Sequence, residues 1–123
     1  MTYALLQNKA GQYPAPTAAA FLAAGGGADW TKAPGNYLLL LNQPGAKSWP
    51  ITGATFILVY KTQDKPEDGK AVLTFFDWAY KNGDAMAGQL DYVPMPPAVK
   101  AYVRKQWVAN VKDASGKPLY VSK

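Results

Sequence analysis

Few side chains in this sequence could do chemistry. It contains no histidine and no cysteine, which removes the usual base at neutral pH, the commonest metal ligand and any thiolate nucleophile. Ser48, Ser115 and Ser122 therefore have no histidine or cysteine partner that could activate them. We expect no catalytic residue, no cofactor-binding residue, no cofactor and no metal site, and we expect that the chain is not an enzyme.

The eight acidic residues are the remaining candidates for acid–base chemistry. They lie mostly in turns or at expected helix starts, where capping of backbone N–H groups explains them. A carboxylate pair assembled by the fold stays open as an alternative, because such pairs are invisible in sequence. The acids are Asp29, Asp64, Glu67, Asp68, Asp77, Asp84, Asp91 and Asp113.

Composition and charge indicate a folded domain without an obvious polyanion surface. The hydrophobic fraction is 49% and the charged fraction only 17%, values typical of globular chains. All but one of the 13 basic residues are lysines, scattered along the chain, so we expect no nucleic-acid partner. No apolar run approaches the roughly 18 residues that span a bilayer, and the first residues lack the charged region of a signal peptide.

Residues 48–61 are the stretch around which the other elements must be arranged. Within it, residues 55–60 form an unbroken run of β-branched and apolar side chains, typical of a strand covered on both faces. The sequence predicts a central strand here, followed by a polar connection and a helix over residues 71–81. Such a strand needs neighbours along both edges and helices on both faces.

The helix after this strand carries its polar residues on one face. Lys70, Thr74, Asp77 and Lys81 recur at intervals of four, three and four. The rest of its circumference is apolar and aromatic, so we expect burial over most of its surface; an aromatic ligand platform is the alternative. Gly83 is expected to end the helix, and Asp84 to begin a short one.

Other elements follow from local signals. Thr17 is expected to cap a helix beginning at Ala18, which the three glycines at 25–27 interrupt or end. A phosphate-cradling glycine loop is the alternative, although those loops follow strands. Short strands are expected at residues 3–6, 37–41 and 119–121.

A second amphipathic helix is expected after the prolines at 94–97. Val99, Val103 and Trp107 share one face by their spacing of four. The basic side chains Lys100, Arg104 and Lys105 lie on other faces and are expected to be solvated. Contact of this basic face with an acidic partner is the alternative.

Four blocks of the sequence together resemble a known family. The run FFDWAY at residues 75–80 is the most specific part of the match, which covers nearly the whole chain in consistent order. The blocks are WPITGATFIL at 49–58, KAVLTFFDWAYKNG at 70–83, LDYVP at 90–94 and DASGKPLY at 113–120. They look like the C-terminal part of the bacterial phosphate-binding protein, the periplasmic receptor of the high-affinity phosphate ABC transporter.

The resemblance implies a partial type II periplasmic-binding-protein fold of class α/β, with a central strand flanked by helices and parts of two lobes. Residues 1–48 would belong to the second lobe, and residues 49–123 to the C-terminal part of the first. The implied partners are inorganic phosphate, held through the preceding N-terminal part, and the ABC transporter permease. The implied location is the periplasm.

The family's phosphate ligands do not carry over to this chain. The family holds phosphate with a Thr-Phe loop near its mature N-terminus, a serine and an aspartate of the first lobe, and an arginine with a Ser-Gly-Thr loop of the second, all before the matching part. Gly53-Ala54-Thr55-Phe56 resembles the Thr-Phe motif in composition only, and Arg104 matches no ligand. We therefore assign no phosphate-binding residue.

Two functional interpretations lead, ahead of an unrecognised enzyme. The first is a fragment of a phosphate-binding receptor subunit for ABC-type import, which does not bind phosphate tightly alone. The alternative is a stand-alone structural or interaction module derived from that fold. Because an apolar strand with open edges invites pairing, we also expect self-association that buries the strand and the Phe75, Phe76 and Trp78 side of the main helix.

Overall fold

The computed structural model describes residues 2–121 and confirms the α/β class. Its two short strands pair in parallel, with Thr62 opposite Lys112 and Gln63 opposite Asp113. In chain order, the elements of the described residues are α1 (Ala18–Gly27), a 3-10 turn (Pro34–Asn36), β1 (Thr62–Gln63), α2 (Pro66–Asn82), α3 (Asp84–Gln89), α4 (Pro97–Asn110) and β2 (Lys112–Asp113).

The described residues form two compact units. Unit 1 comprises residues 2–56 with Val93–Pro96, and unit 2 comprises Ile57–Tyr92 with residues 97–121. The division predicted at residue 49 concerns the lobes of the resembling family, and the assignment of segments to those lobes stays a prediction.

Helix α1 of unit 1 begins where its cap predicts. The Thr17 Oγ1 accepts the N–H of Ala20 at 3.3 Å, as expected of an N-cap. The three glycines form the last turn of α1, so they end the helix and do not form the phosphate loop considered as an alternative. A Cβ on Gly27 would lie 2.5 Å from the Pro44 carbonyl oxygen, so close packing of helix and turn accounts for this glycine.

A buried asparagine organises the rest of unit 1. The Nδ2 of Asn8 donates to the carbonyls of Gly45, Ala46 and Ser48 at 3.2, 2.9 and 3.1 Å, and its Oδ1 accepts two N–H groups of the following turn. A buried amide with every polar atom paired stabilises its surroundings. Asn8 therefore holds the turn at 44–48 against the N-terminal segment.

Unit 2 has a small core. It consists of Leu73, Val111 and Tyr120, and the partly buried side chains packed against it are Val59, Trp107, Val108 and Leu119. Helix α2 contributes Leu73, only 1% exposed. The predicted features of its C-terminal end are confirmed, since Gly83 caps it and α3 begins at Asp84. At the other end, α2 begins at Pro66, five residues before the predicted start at residue 71.

The prediction that α2 is buried over most of its surface is wrong. Only Gly69 and Leu73 are buried, while Val72, Phe75 and Trp78 are exposed. The described part of unit 2 packs against one face of the helix and supplies no cover for the opposite one. The apolar pattern thus indicates a second packing partner that the described residues do not contain.

The structure differs from the sequence prediction in where strands form. Within residues 2–121, the segments 3–6, 37–41, 55–60 and 119–121 contain no named strand, although Leu41 makes an isolated antiparallel bridge to Ile51. A strand exists through repeated hydrogen bonds to a neighbouring strand; in these runs the described residues provide at most isolated contacts, such as the Leu119 N–H to the Val111 carbonyl at 3.2 Å. These runs therefore have the composition of strands but do not form strands among the described residues.

Candidate interaction surface

Potential catalytic groups are not brought together in the described part of the chain. Ser48 is buried and donates to the Pro44 carbonyl, whereas Ser115 donates to Asp113 in an exposed turn; Ser122 lies outside the described residues. No group of three or more Asp or Glu side chains within residues 2–121 could hold a metal ion. The expected absence of catalytic, cofactor, phosphate and metal residues stays a prediction.

Most acids occupy local roles, as expected. The Oδ1 of Asp113 accepts the N–H groups of Ser115 and Lys117 at 2.8 and 2.9 Å, and Asp29 accepts from Thr31 in the same way. Hydrogen bonds from Ser115 and Thr31, respectively, hold the pKa values of Asp113 and Asp29 below their ordinary range. Both residues close turns.

Asp77 is the exception, because it lies between two helices. Its Oδ1 accepts the Nε of Arg104 on α4 at 2.6 Å, and its Oδ2 pairs with the Nζ of Lys81 at 2.7 Å. Burial alone would raise the pKa of Asp77, but hydrogen bonds from Lys81, Arg104 and Tyr120 outweigh it and lower that pKa to about 2. The side chain is 14% exposed, so this pair is largely shielded from solvent.

The prediction that the basic side chains of α4 are solvated is wrong for two of the three. Lys100 is 6% exposed, and its Nζ donates to the Tyr80 carbonyl at 3.1 Å and pairs with Asp84. Arg104 pairs with Asp77 and lies 5.6 Å from the centre of the Tyr80 ring. These cations join α4 to the other helices of unit 2, since each finds a carboxylate there.

The salt bridge between Asp77 and Arg104, which we call the clamp, should make the stability of unit 2 sensitive to acid. A folded-state pKa below the ordinary 3.8 means that the clamp stabilises the fold above that pH and is lost as pH falls toward about 2. At about 1.36 kcal/mol per pKa unit, the contribution near neutral pH is about 2 kcal/mol. We expect Asp77→Asn to lower the free energy of unfolding by that amount at neutral pH, and by progressively less below about pH 3.5.

Urea denaturation across this pH range measures the effect, with the exposed Asp64 providing the control variant Asp64→Asn. The assignment of the clamp would be contradicted if the difference in the free energy of unfolding between Asp77→Asn and the unmodified chain stayed constant down to about pH 2.

The candidate functional surface is an open apolar segment of unit 2, residues 57–60, which we call the open strand segment. Its Val59 packs against the core, whereas Leu58 and Tyr60 are 95% and 83% exposed. The segment leads directly into β1, whose only pairing among the described residues is with β2. Residues 57–60 form no named strand among the described residues, so their exposed side chains and their backbone are available for a further partner.

Unit 1 shows the same half-covered pattern over residues 37–41. Leu40 is buried and Leu38 is partly buried, while the alternate residues Tyr37, Leu39 and Leu41 are exposed. This period of two is that of a strand with opposite faces. The side chains of both faces are apolar, a pattern typical of a strand buried on both sides. In the structure, only the face with Leu38 and Leu40 is covered.

These features are only partly predictable from the sequence. The apolar runs are visible in it, but their exposure depends on which partners the chain supplies, which a run of β-branched residues does not reveal. The pairing of Asp77 with Arg104 joins residues 27 positions apart. Its one sequence signal is a carboxylate inside an otherwise aromatic block.

The helices of residues 2–121 offer no segment both long and apolar enough to cross a bilayer. No protein-family model matches the chain.

Curated phosphate-binding proteins match nearly the whole chain. The phosphate-binding protein PstS of Pasteurella multocida is 48% identical over 120 residues, which are 98% of this chain and 35% of the relative. The protein of the same name from Haemophilus influenzae is 46% identical over 108 residues, 88% of this chain and 32% of the relative. The protein of the same name from Xylella fastidiosa strain 9a5c is 40% identical over 112 residues, which are 91% of this chain and 31% of the relative.

The chain thus spans about a third of the length of the curated relatives it matches. Identity at this level over almost every element confirms the resemblance carried by the FFDWAY block and its neighbours. The chain thus matches, as a segment corresponding to their C-terminal part, the PstS phosphate-binding proteins.

Proposed function

We propose that this chain forms the framework of part of a phosphate-binding receptor, and that phosphate is held by the part that precedes it in the relatives. The observation that carries the proposal is 48% identity to a phosphate-binding protein over 98% of this chain and only 35% of that protein. The exposed open strand segment supports it, since a framework segment would present such a surface to the rest of its fold. The chain acts in binding and not as an enzyme.

The proposal assigns no phosphate ligand to this chain. Arg104, its only arginine, is engaged by Asp77, and Lys100 by Asp84, so these two of the three α4 cations are not free to hold an anion. The remaining lysines attract anions only diffusely, an effect that salt screens. Tight binding of phosphate by the chain alone is therefore not expected.

The partners and location follow from membership of the family and belong to the same proposal. The complete receptor delivers phosphate to an ABC transporter permease and resides in the periplasm. Residues 1–48 contribute to its second lobe, and residues 49–123 to its first. The structural boundary at residues 56 and 57 lies near this division.

A stand-alone interaction module is the second candidate function. The exposure of Leu58 and Tyr60 favours it as well, because a second copy of the chain could cover them in place of the preceding part. In the first candidate, Leu58 and Tyr60 are covered by the part that precedes this segment in the relatives. In the second, they are covered by another copy of this chain.

A hybrid protein tests the proposed function. In the hybrid, the 120 matching residues of the Pasteurella multocida relative are replaced by those of this chain. We expect the hybrid to bind inorganic phosphate saturably in calorimetry, because the framework of this chain closes the fold around ligands supplied by the other part. A hybrid that folds cooperatively but binds no phosphate would overturn the proposal.

A further inference from the structure

The junction between α2 and α3 carries the dipeptide Asn82-Gly83. Of the asparagines in the chain, only Asn82 precedes a glycine. A glycine has no Cβ to shield its own backbone nitrogen, so this nitrogen can approach the side-chain amide of the preceding residue. Asn82 is exposed, and water therefore reaches the groups that would react.

The folded helix keeps both reacting groups in hydrogen bonds. The N–H of Gly83 donates to the Ala79 carbonyl at 2.8 Å, and the Nδ2 of Asn82 donates to the Trp78 carbonyl at 2.9 Å. These two bonds close the last turn of α2, and attack of the nitrogen on the amide requires that both break. Helix ends open locally at a small cost in free energy, so the opening of this turn limits the reaction.

The junction itself requires a glycine at position 83. A Cβ here would lie 2.6 Å from the carbonyl oxygen of Ala79, which is closer than packing without strain allows. Gly83 is also both the C-cap of α2 and the N-cap of α3. The fold therefore keeps an unshielded nitrogen beside Asn82 for a structural reason.

We propose that Asn82 is a modification site, at which the chain deamidates spontaneously through a cyclic imide with Gly83 when the last turn of α2 opens. The Gly83 nitrogen forms a bond to the Asn82 Cγ and the Cγ–Nδ2 bond breaks, so that ammonia leaves with the proton that the Gly83 nitrogen loses. Water then opens the imide at either of its carbonyl carbons, which gives an aspartate or an isoaspartate linkage. Nothing is oxidised or reduced, and water is the co-reactant.

Both products change the junction between the helices. Each places a new negative charge at the C-terminus of α2, where the helix dipole disfavours it. The isoaspartate product also routes the main chain through the side-chain carbon, which lengthens the link to α3. Because α3 begins with Asp84, the partner of the buried Lys100, we expect this ion pair to weaken and the melting temperature of the deamidated chain to fall.

Asn110 is an internal control for the reaction. It is exposed and is the last residue of α4, and the N–H that follows it, that of Val111, donates to the Trp107 carbonyl at 3.0 Å. Asn110 thus has the same position in its helix as Asn82, but the next nitrogen carries a β-branched residue that crowds it.

Peptide mapping by mass spectrometry measures the reaction at each asparagine. The chain is incubated at mildly alkaline pH and then digested, and the exchange of amide for acid is followed over time. A synthetic peptide of residues 78–88, treated in the same way, gives the rate without a stable helical turn. The melting temperature of each incubated sample is compared with that of its fresh sample.

We expect Asn82 to deamidate severalfold faster than Asn110 in the chain, and severalfold slower in the chain than in the peptide. Asn82→Gln should abolish both the reaction and the fall in melting temperature, whereas Asn110→Gln should leave both. Equal rates at Asn82 and Asn110 would overturn the proposal. Equal rates in the chain and in the peptide would also overturn it, because the reaction would then not depend on the opening of α2.

Discussion

The isolated chain is expected to self-associate through the open strand segment, and Leu58→Lys is expected to weaken this association by roughly ten- to a hundredfold. Leu58 is 95% exposed and lies beside β1, whose outer edge has no partner among the described residues. Burial of a large apolar side chain is worth roughly 1.5–3 kcal/mol, and each 1.4 kcal/mol is about tenfold in affinity. A lysine at this position removes that gain and places like charges together where two copies meet.

Sedimentation equilibrium over a range of concentrations around 10 µM measures the effect. Leu90→Lys is the matched control, because Leu90 is also an exposed leucine but lies at the end of α3. Because the sequence also predicts burial of the Phe75, Phe76 and Trp78 side of α2 in this association, Trp78, which is 50% exposed, should become less accessible to acrylamide quenching as the concentration rises. A cooperatively melting monomer at every concentration would show that the chain closes its own core without a partner.

Local sequence signals predicted the helices well. The cap at Thr17, the end of α2 at Gly83 and the start of α3 at Asp84 all depend on side chains or backbone freedom within a few residues. The helix after the prolines is likewise present as α4, with Val99 on its buried face. These features are local, so they do not depend on contacts with segments distant in sequence.

Strands and ion pairs could not be predicted in the same way. The run at 55–60 has the composition of a buried strand, but whether it pairs depends on segments distant in sequence. Pairing of Arg104 with Asp77 likewise depends on how α2 and α4 pack. Besides the strands, the wrong predictions are a solvated basic face on α4 and a mostly buried α2, and both concern which surfaces meet and not where helices lie.

The candidate surface was predictable in kind but not in extent. An apolar run with missing neighbours suggested exposed edges, and the structure places the greatest exposure at Leu58 and Tyr60. Val59 packs inward against the core, so Leu58 and Tyr60 face the opposite side of an extended chain; Ile57, on the same side as Val59, is also 58% exposed.

Loss of phosphate binding in the isolated chain is the other large effect we expect. The cations best placed to hold an anion, Lys100 and Arg104, already pair with Asp84 and Asp77. What remains is diffuse attraction from a net charge of +5, which about 0.5 M salt largely screens because the Debye length then falls to a few ångströms.

Isothermal titration of inorganic phosphate into the isolated chain and into the hybrid, side by side in about 0.5 M salt, tests the central claim that this chain supplies framework and not ligands. We expect a saturable binding isotherm for the hybrid and none for the chain. A saturable site of micromolar or tighter affinity on the chain alone, persisting at that salt concentration, would contradict it.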